Sequence, residues 1–230
     1  MSRQKQFCLA LALTVPLMLA GCSDEPPELE FGKAKASGEP LAAQPAQGAS
    51  LPLAQWPNAC KVLSDKEIRA ILPQATDVER QPVKVTIINF NPMEESDPGT
   101  TGDVPAGGCE FEFGLPAKYE SEHNSSVKVT FTAIADPALV RENYTEDRDD
   151  ASKDAGKYKK KFQDLGNSLG TDGCYFPDVS DGPVCHQGPY QFEVSGMSTA
   201  DGVGEYPKAD QNWSKKVLTE VVRTLSARMP

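Results

Sequence analysis

Most of the sequence patterns that mark an enzyme are missing from this chain. It contains two histidines, His123 and His186, and neither lies in a Gly-x-Ser-x-Gly or His-Glu-x-x-His setting. It also lacks a glycine-rich phosphate-binding loop and a dinucleotide-binding fingerprint. Nucleophilic catalysis needs a base beside a nucleophile, and a metal site needs clustered ligands. We therefore expect a protein that is not an enzyme, with no catalytic residues, no metal and no cofactor.

Basic residues are also scarce. The 23 Lys and Arg are outnumbered by 33 Asp and Glu, which gives a net charge of −10 at pH 7. Proteins that bind nucleic acid carry basic patches, so we expect no nucleic-acid partner. The one basic run, Lys157 with residues 159–161, directly follows an acidic stretch. A charged helix end that complements the helix dipole explains this run better than membrane contact does.

The N-terminal residues have the organisation of an export signal. Arg3 and Lys5 precede residues 7–20, which carry no charge. This stretch is too short to span a bilayer as a helix, which takes about 20 apolar residues. A positive start, a short apolar segment and small residues at its end are typical of a secretory signal peptide. We predict such a peptide over residues 1–21.

The end of this segment carries a more specific motif. Leu19-Ala20-Gly21-Cys22 resembles the lipobox of bacterial lipoproteins, in which the cysteine thiol is diacylated and the chain is cut before it. The resemblance implies lipid on Cys22, which would attach the protein to the cell membrane or the outer membrane and leave its domain outside the cytoplasm. Loss of Arg3 and Lys5 takes the net charge from −10 to −12.

The residues after Cys22 differ in composition from the rest of the chain. Residues 22–55 are rich in Pro, Ala, Gly, Glu and Gln, and Phe31 is their only aromatic residue. Such a composition offers little apolar surface to offset the entropy of ordering. We interpret residues 22–55 as the lipidated cysteine and a flexible tether, and residues 56–230 as a single globular domain.

Four cysteines are left for the domain: Cys60, Cys109, Cys174 and Cys185. Four cysteines allow three pairings. We favour Cys60–Cys109 and Cys174–Cys185, because residues 180–183, Ser-Asp-Gly-Pro, form a strong turn sequence inside the second pair. No C-x-x-C occurs, and close metal-ligand pairs are missing, so structural disulfides are favoured over thiol exchange and over zinc.

Hydrophobic periodicity predicts the secondary structure. Apolar residues alternate with polar ones in four segments that we predict as strands: 83–90, 109–115, 127–133 and 190–194. Residues 172–186 are predicted as a disulfide-closed hairpin, and residues 91–108 as a long loop. Helices are predicted after the caps Ser64 and Asp136, through residues 158–165, and at the C terminus over residues 213–225. The predicted class is α+β, an antiparallel sheet with helices packed on one face.

The layout resembles a family of exported lipoproteins, best known in actinobacteria, that are grouped as a domain of unknown function. The matching features are the lipobox, the polar segment after it, residues 58–64 opening a short helix around Cys60, and Cys109 at the head of an alternating strand. Leu169-Gly170 and the amphipathic C-terminal helix complete the match. The family has no established catalytic residues, so the resemblance implies none here.

Two functions are compatible with these features. The first is a membrane-anchored, non-enzymatic binding or accessory module of the cell envelope, with an envelope protein or a small ligand as partner. The alternative is an envelope hydrolase or metal-dependent enzyme that uses carboxylates of residues 91–108 together with His186. An enzyme should bring those carboxylates and His186 into one concave site, whereas a binding module should show an apolar cleft or patch.

Overall fold

A seven-stranded antiparallel sheet organises the chain in the computed structural model, which describes residues 28–90, 100–118, 123–205 and 208–230. The strand order is β1-β2-β3-β7-β6-β5-β4, and every neighbouring pair is antiparallel. The strands are β1 (Thr76–Phe90), β2 (Thr100–Gly114), β3 (Ser125–Ile134), β4 (Gln163–Gly166), β5 (Gly173–Phe176), β6 (Val184–Gln187) and β7 (Tyr190–Ser195). This architecture confirms the α+β class.

Four α-helices accompany the sheet in the described part of the chain: α1 (Asp65–Ile71), α2 (Pro137–Tyr158), α3 (Lys208–Trp213) and α4 (Thr219–Ser226). A π-helical turn, Ser214–Leu218, joins α3 to α4. The capping box of α1 is present, because Ser64 Oγ accepts from the amide of Glu67 while the Glu67 carboxylate accepts from the amide of Ser64. Asp136 caps α2 by accepting from the amide of Ala138 at 2.8 Å.

Strict alternation along β2 builds the centre of the core. Cys109, Phe111 and Phe113 are fully buried, whereas Glu110 and Glu112 between them point to the other face. Burial of each phenylalanine contributes about 2 kcal/mol of transfer free energy. Trp213 lies against Phe113, with ring centroids 6.3 Å apart, so the C-terminal helices cover this face of the sheet.

Helix α2 lies on the opposite face. Cys185 and Phe192 are paired across β6 and β7 and belong to the same buried cluster as the apolar residues of α4. The next residue along β6, His186, therefore points the other way, and its ring meets Tyr144 of α2 at a centroid distance of 4.3 Å. The expectation that all helices share one face thus does not hold for α2. Its sequence is mostly polar, and only four of its residues are buried: Leu139, Val140, Tyr144 and Ala155.

Two predicted local structures are wrong. Residues 100–108, predicted as part of a loop, belong to β2, and Val104 pairs with Val85 of β1. The Pro and Gly residues of this segment are accommodated by irregular register rather than by a loop. The helix predicted through residues 158–165 does not form. Helix α2 ends at Tyr158, because Lys159 adopts a left-handed conformation (φ 58°), and β4 follows.

Both favoured disulfides are present. Cys60 is bonded to Cys109 and Cys174 to Cys185, and the second pair joins directly opposed residues of β5 and β6. Each bridge stabilises the fold by about 2–4 kcal/mol, mainly by restricting the unfolded chain. Paired cysteines of this kind form in oxidising compartments, which places the domain outside the cytoplasm. None of the helices among the described residues has the length and apolar character needed to cross a bilayer.

The segment predicted as a flexible tether is packed along the domain from Glu28 onward. We call residues 28–55 the strap. Its backbone amides find partners on three elements: Gly32 donates to Ile71 O at 2.8 Å, Leu41 to Arg228 O at 2.7 Å, and Leu51 to Ile134 O at 2.8 Å. The prediction of a tether over residues 22–55 is therefore wrong for 28–55, and residues 22–27 lie outside the described residues.

The physical reason is that a few anchors suffice. Leu29 and Leu51 are buried in the main core, and Phe31 and Leu41 pack against it. The domain supplies hydrogen-bond partners for the backbone between these anchors, so ordering the strap does not depend on a high apolar content. The composition of a segment does not show whether other parts of the chain offer hydrogen-bond partners for its backbone.

Candidate functional site

Of the residues assigned by the alternative, enzymatic function, the structure describes Asp103 and His186, and these two are not brought together. His186 on β6 is buried against α2, and this burial lowers its pKa, with Asp172 opposing the shift and Arg141 adding to it. Asp103 is on β2, exposed, and accepts from Lys84 Nζ at 2.9 Å and from Thr86 Oγ1 at 2.7 Å. In the sheet order β3 and β7 separate β2 from β6, a span of roughly 14 Å at normal strand spacing.

The remaining predicted site residues have simpler positions. Cys22 lies outside the described residues, as do Glu94, Glu95 and Asp97 of the predicted loop. Cys60, Cys109, Cys174 and Cys185 all lie within disulfides.

A cleft lies between the strap and residues 227–230. Its volume is 480 Å³, and its walls come from residues between 36 and 44 on one side and from residues 227–230 on the other. Pro40, Leu41, Ala42, Ala43 and Met229 give it a largely apolar lining. Among the described residues that line it, Arg228 carries the only ionisable side chain.

The strap wall is fixed by one buried carboxylate, Glu67. Glu67 Oε1 accepts hydrogen bonds from the backbone amides of Ser37 at 2.9 Å and Gly38 at 3.0 Å. Its Oε2 accepts from the amide of Ser64 at 2.8 Å and lies 3.5 Å from Arg228 Nη1. A single side chain thus connects the strap, the start of α1 and the C terminus.

Arg228 completes this connection from the other wall. Its Nε donates to Glu39 O at 2.8 Å, and its Nη1 donates to Val62 O. The guanidinium lies directly over Gly38, where an added Cβ would stand 2.3 Å from Arg228 Cζ. Position 38 therefore accepts glycine alone in this packing, because any side chain would occupy the space of the guanidinium.

The electrostatics of Glu67 follow from these contacts. Burial pushes the pKa of this carboxyl upward, but the hydrogen bonds from Ser37, Ser64 and Gly38 together outweigh that effect, so the pKa lies below its usual value. An isolated buried carboxylate is costly, and the adjacent guanidinium offsets part of that cost. The ionised form of Glu67 is consequently the one that holds the cleft together.

The strap has a further fixed point on the sheet. The hydroxyl of Tyr190 accepts from the amide of Ala43 at 2.6 Å, and Tyr190 itself is buried beside Phe131. The strap is therefore held at Gly38, Leu41 and Ala43 along the length of the cleft. Such an apolar cleft can bind a ligand, and its lining side chains include no carboxyl, imidazole, thiol or hydroxyl group for catalysis.

The sequence contained part of the signal for this site. The capping box predicts that Glu67 faces the backbone of Ser64, and the structure confirms it. The roles of Gly38 and Arg228 leave no local sequence pattern, because these residues lie 29 and 161 residues away from their common partner, Glu67.

Comparison of the chain with protein-family models, with characterised proteins and with solved structures finds no match. The resemblance to the actinobacterial lipoprotein family stays a prediction.

Proposed function

We propose that this protein is a lipid-anchored binding module of the bacterial cell envelope, without catalytic activity, and that its ligand occupies the cleft between the strap and the C terminus. The observation that carries the proposal is the 480 Å³ apolar cleft with both walls fixed by hydrogen bonds. This volume falls within the range of about 300–1,000 Å³ that is usual for small-molecule sites.

The lining defines the chemistry of the ligand. The charge of Arg228 is already offset by Glu67, and the other lining residues include Pro, Leu, Ala and Met. The cleft therefore favours an uncharged, largely apolar group, either a small molecule or an apolar side-chain segment of an envelope protein. The hydrolase alternative has less support, because His186 and Asp103 lie on strands separated by β3 and β7.

The anchor would hold the cleft close to the membrane. Glu28, the first residue that the structure describes, is the sixth residue after Cys22, and its carbonyl accepts from Gln74 Nε2. Six residues span at most about 20 Å. With lipid on Cys22, the start of the strap would stay within that distance of the lipid headgroups. A flexible tether over residues 22–55 would let the domain move much farther from the membrane.

Site-specific photo-crosslinking in living cells tests the proposal. A photoreactive amino acid replaces Ala42, an exposed residue that lines the cleft, in the full-length chain expressed in its own bacterium. The matched control carries it at Glu142, which is exposed on α2 on the other face of the sheet. Adducts are recovered after irradiation and identified by mass spectrometry.

We expect one discrete adduct at position 42 that is missing at position 142. A low mass increment would identify a small ligand, and a larger covalent complex would identify an envelope protein. Equal adduct patterns at the two positions, or none at position 42, would refute the cleft as the binding site.

A further inference from the structure

A second cluster of polar side chains lies outside the cleft, near the ends of β1 and β2. Glu79 and Glu112 are register partners in the antiparallel pairing of these strands, so their side chains project from the same face. Like charges directly opposite each other across two strands repel and destabilise the sheet. Nearby positive charge would relieve that repulsion.

His123 lies over this pair of carboxylates. Its Nε2 atom is 3.2 Å from Asp77 O and 4.0 Å from Glu79 Oε1. One ligand atom from each of Glu79, Glu112 and His123 lies within 4.8 Å of the other two. Bonds of about 2.0–2.2 Å to one ion would bring the ligand atoms to roughly 3–4 Å from each other. The largely exposed side chain of Glu79 can make that movement by changing rotamer.

The surroundings of the trio suit an ion. A cavity of 220 Å³ is lined by Glu112 and His123, together with Glu110, Asn124 and other residues, and it provides access from solvent. Gln81 Nε2 donates to the Glu112 carboxylate, an outer contact of the kind that orients metal ligands in known sites. Asp77 O accepts from His123 Nε2, a bond that the ring gives up if Nε2 binds the ion.

We propose that Glu79, Glu112 and His123 form a binding site for a divalent cation of the zinc class. Imidazole with carboxylates is a ligand set that zinc prefers, whereas calcium and magnesium favour sites built from oxygen alone. A divalent cation would neutralise the charge of both carboxylates. Three protein ligands leave a position for water, which the adjoining cavity accommodates.

Calorimetric titration of the full-length lipoprotein in detergent with Zn²⁺ tests this site, with Mg²⁺ and Ca²⁺ as selectivity controls. The test variants are His123→Ala and the double variant Glu79→Gln/Glu112→Gln. The matched control is Glu110→Gln, which removes a carboxylate from the same strand and the same cavity but not from the trio. Circular dichroism verifies that each variant is folded.

We expect one Zn²⁺ per chain, with affinity lowered by about 100-fold in His123→Ala, since even outer partners of a metal site contribute 10–100-fold. Glu110→Gln should keep its affinity. Without metal, Glu79→Gln/Glu112→Gln should unfold at a higher urea concentration than the parent, because the repulsion is gone. Unsaturable Zn²⁺ uptake, unchanged affinity in His123→Ala, or equal weakening by Glu110→Gln would each overturn the assignment.

Discussion

Arg228, two residues after α4, and Glu67 of α1 form a buried ion pair, with Nη1 and Oε2 3.5 Å apart and side chains 6% and 0% exposed. The pair is surrounded by backbone groups: Glu67 accepts from the amides of Ser37 and Gly38, and Arg228 donates to Glu39 O. Breaking one partner of such a pair leaves an uncompensated charge in the interior. The strap depends on both partners.

Arg228→Ala should therefore be strongly destabilising. We expect the free energy of unfolding to fall by about 3–5 kcal/mol, the usual result of leaving one partner of a buried pair alone. Urea denaturation followed by circular dichroism measures this change. Lys153→Ala is the control, because Lys153 pairs with Asp150 on the exposed face of α2, and its denaturation midpoint should match the parent. Similar midpoints for the two variants would show that the buried pair is not required.

The stability of the fold should decrease in acid through Glu67. The folded state lowers the pKa of this carboxyl below its ordinary value of 4.5, so the ionised form stabilises the fold at pH values above 4.5. This contribution is lost as the pH falls below 4.5 and through the folded pKa. Unfolding free energies of the parent and of Glu67→Gln, measured from pH 7 downward, should converge in acid. A gap that stays constant over this range would contradict the assignment.

Gly38→Ala should release the strap. The new Cβ would stand 2.3 Å from Arg228 Cζ, so either the guanidinium or the strap must move. We expect faster hydrogen exchange at the amides of Ser37 and Leu41. Gly156→Ala is the matched control, because an added Cβ there meets nothing within 4 Å and lies in α2, where alanine favours the helix. Unchanged exchange at Ser37 and Leu41 in Gly38→Ala would count against the packing described.

Cys22→Ala should abolish membrane attachment. The lipobox resemblance implies that the Cys22 thiol carries the lipid, and alanine offers no nucleophile for acylation. Fractionation of cells should find the variant either in the soluble fraction or as an uncut precursor. Cys8→Ala, which changes a cysteine inside the predicted signal peptide, is the control and should fractionate like the parent. Membrane retention of mature Cys22→Ala would refute lipid anchoring at this residue.

The features predicted correctly from the sequence are those encoded by neighbouring residues. The Ser64–Glu67 capping box, the alternation of Cys109, Phe111 and Phe113, and the turn between Cys174 and Cys185 each depend on contacts within a few residues or within one hairpin. Their physical causes, hydrogen bonding at a helix end and burial of one strand face, appear in the spacing of the residues.

The features that were missed depend on partners far away in sequence. The strap looks like a tether by composition, but its amides are satisfied by Glu67, Ile71 and Arg228. The same holds for the cluster of Glu79, Glu112 and His123, whose members come from two strands and a connecting segment. Hydrophobic periodicity gives no information about which distant residues come into contact, because that depends on strand register and on the path of the chain.

The two walls of the cleft have a consequence for when it can exist. The backbone amide of Leu41 donates a hydrogen bond to the carbonyl of Arg228, although nearly the whole domain lies between these two residues along the chain. Residues 36–44 are synthesised before residues 227–230, so the first wall must wait for the second. Contacts between such distant segments form slowly, after the local ones. The cleft therefore needs both segments: removal of residues 227–230 would take away one wall and, with Arg228, the partner of Glu67.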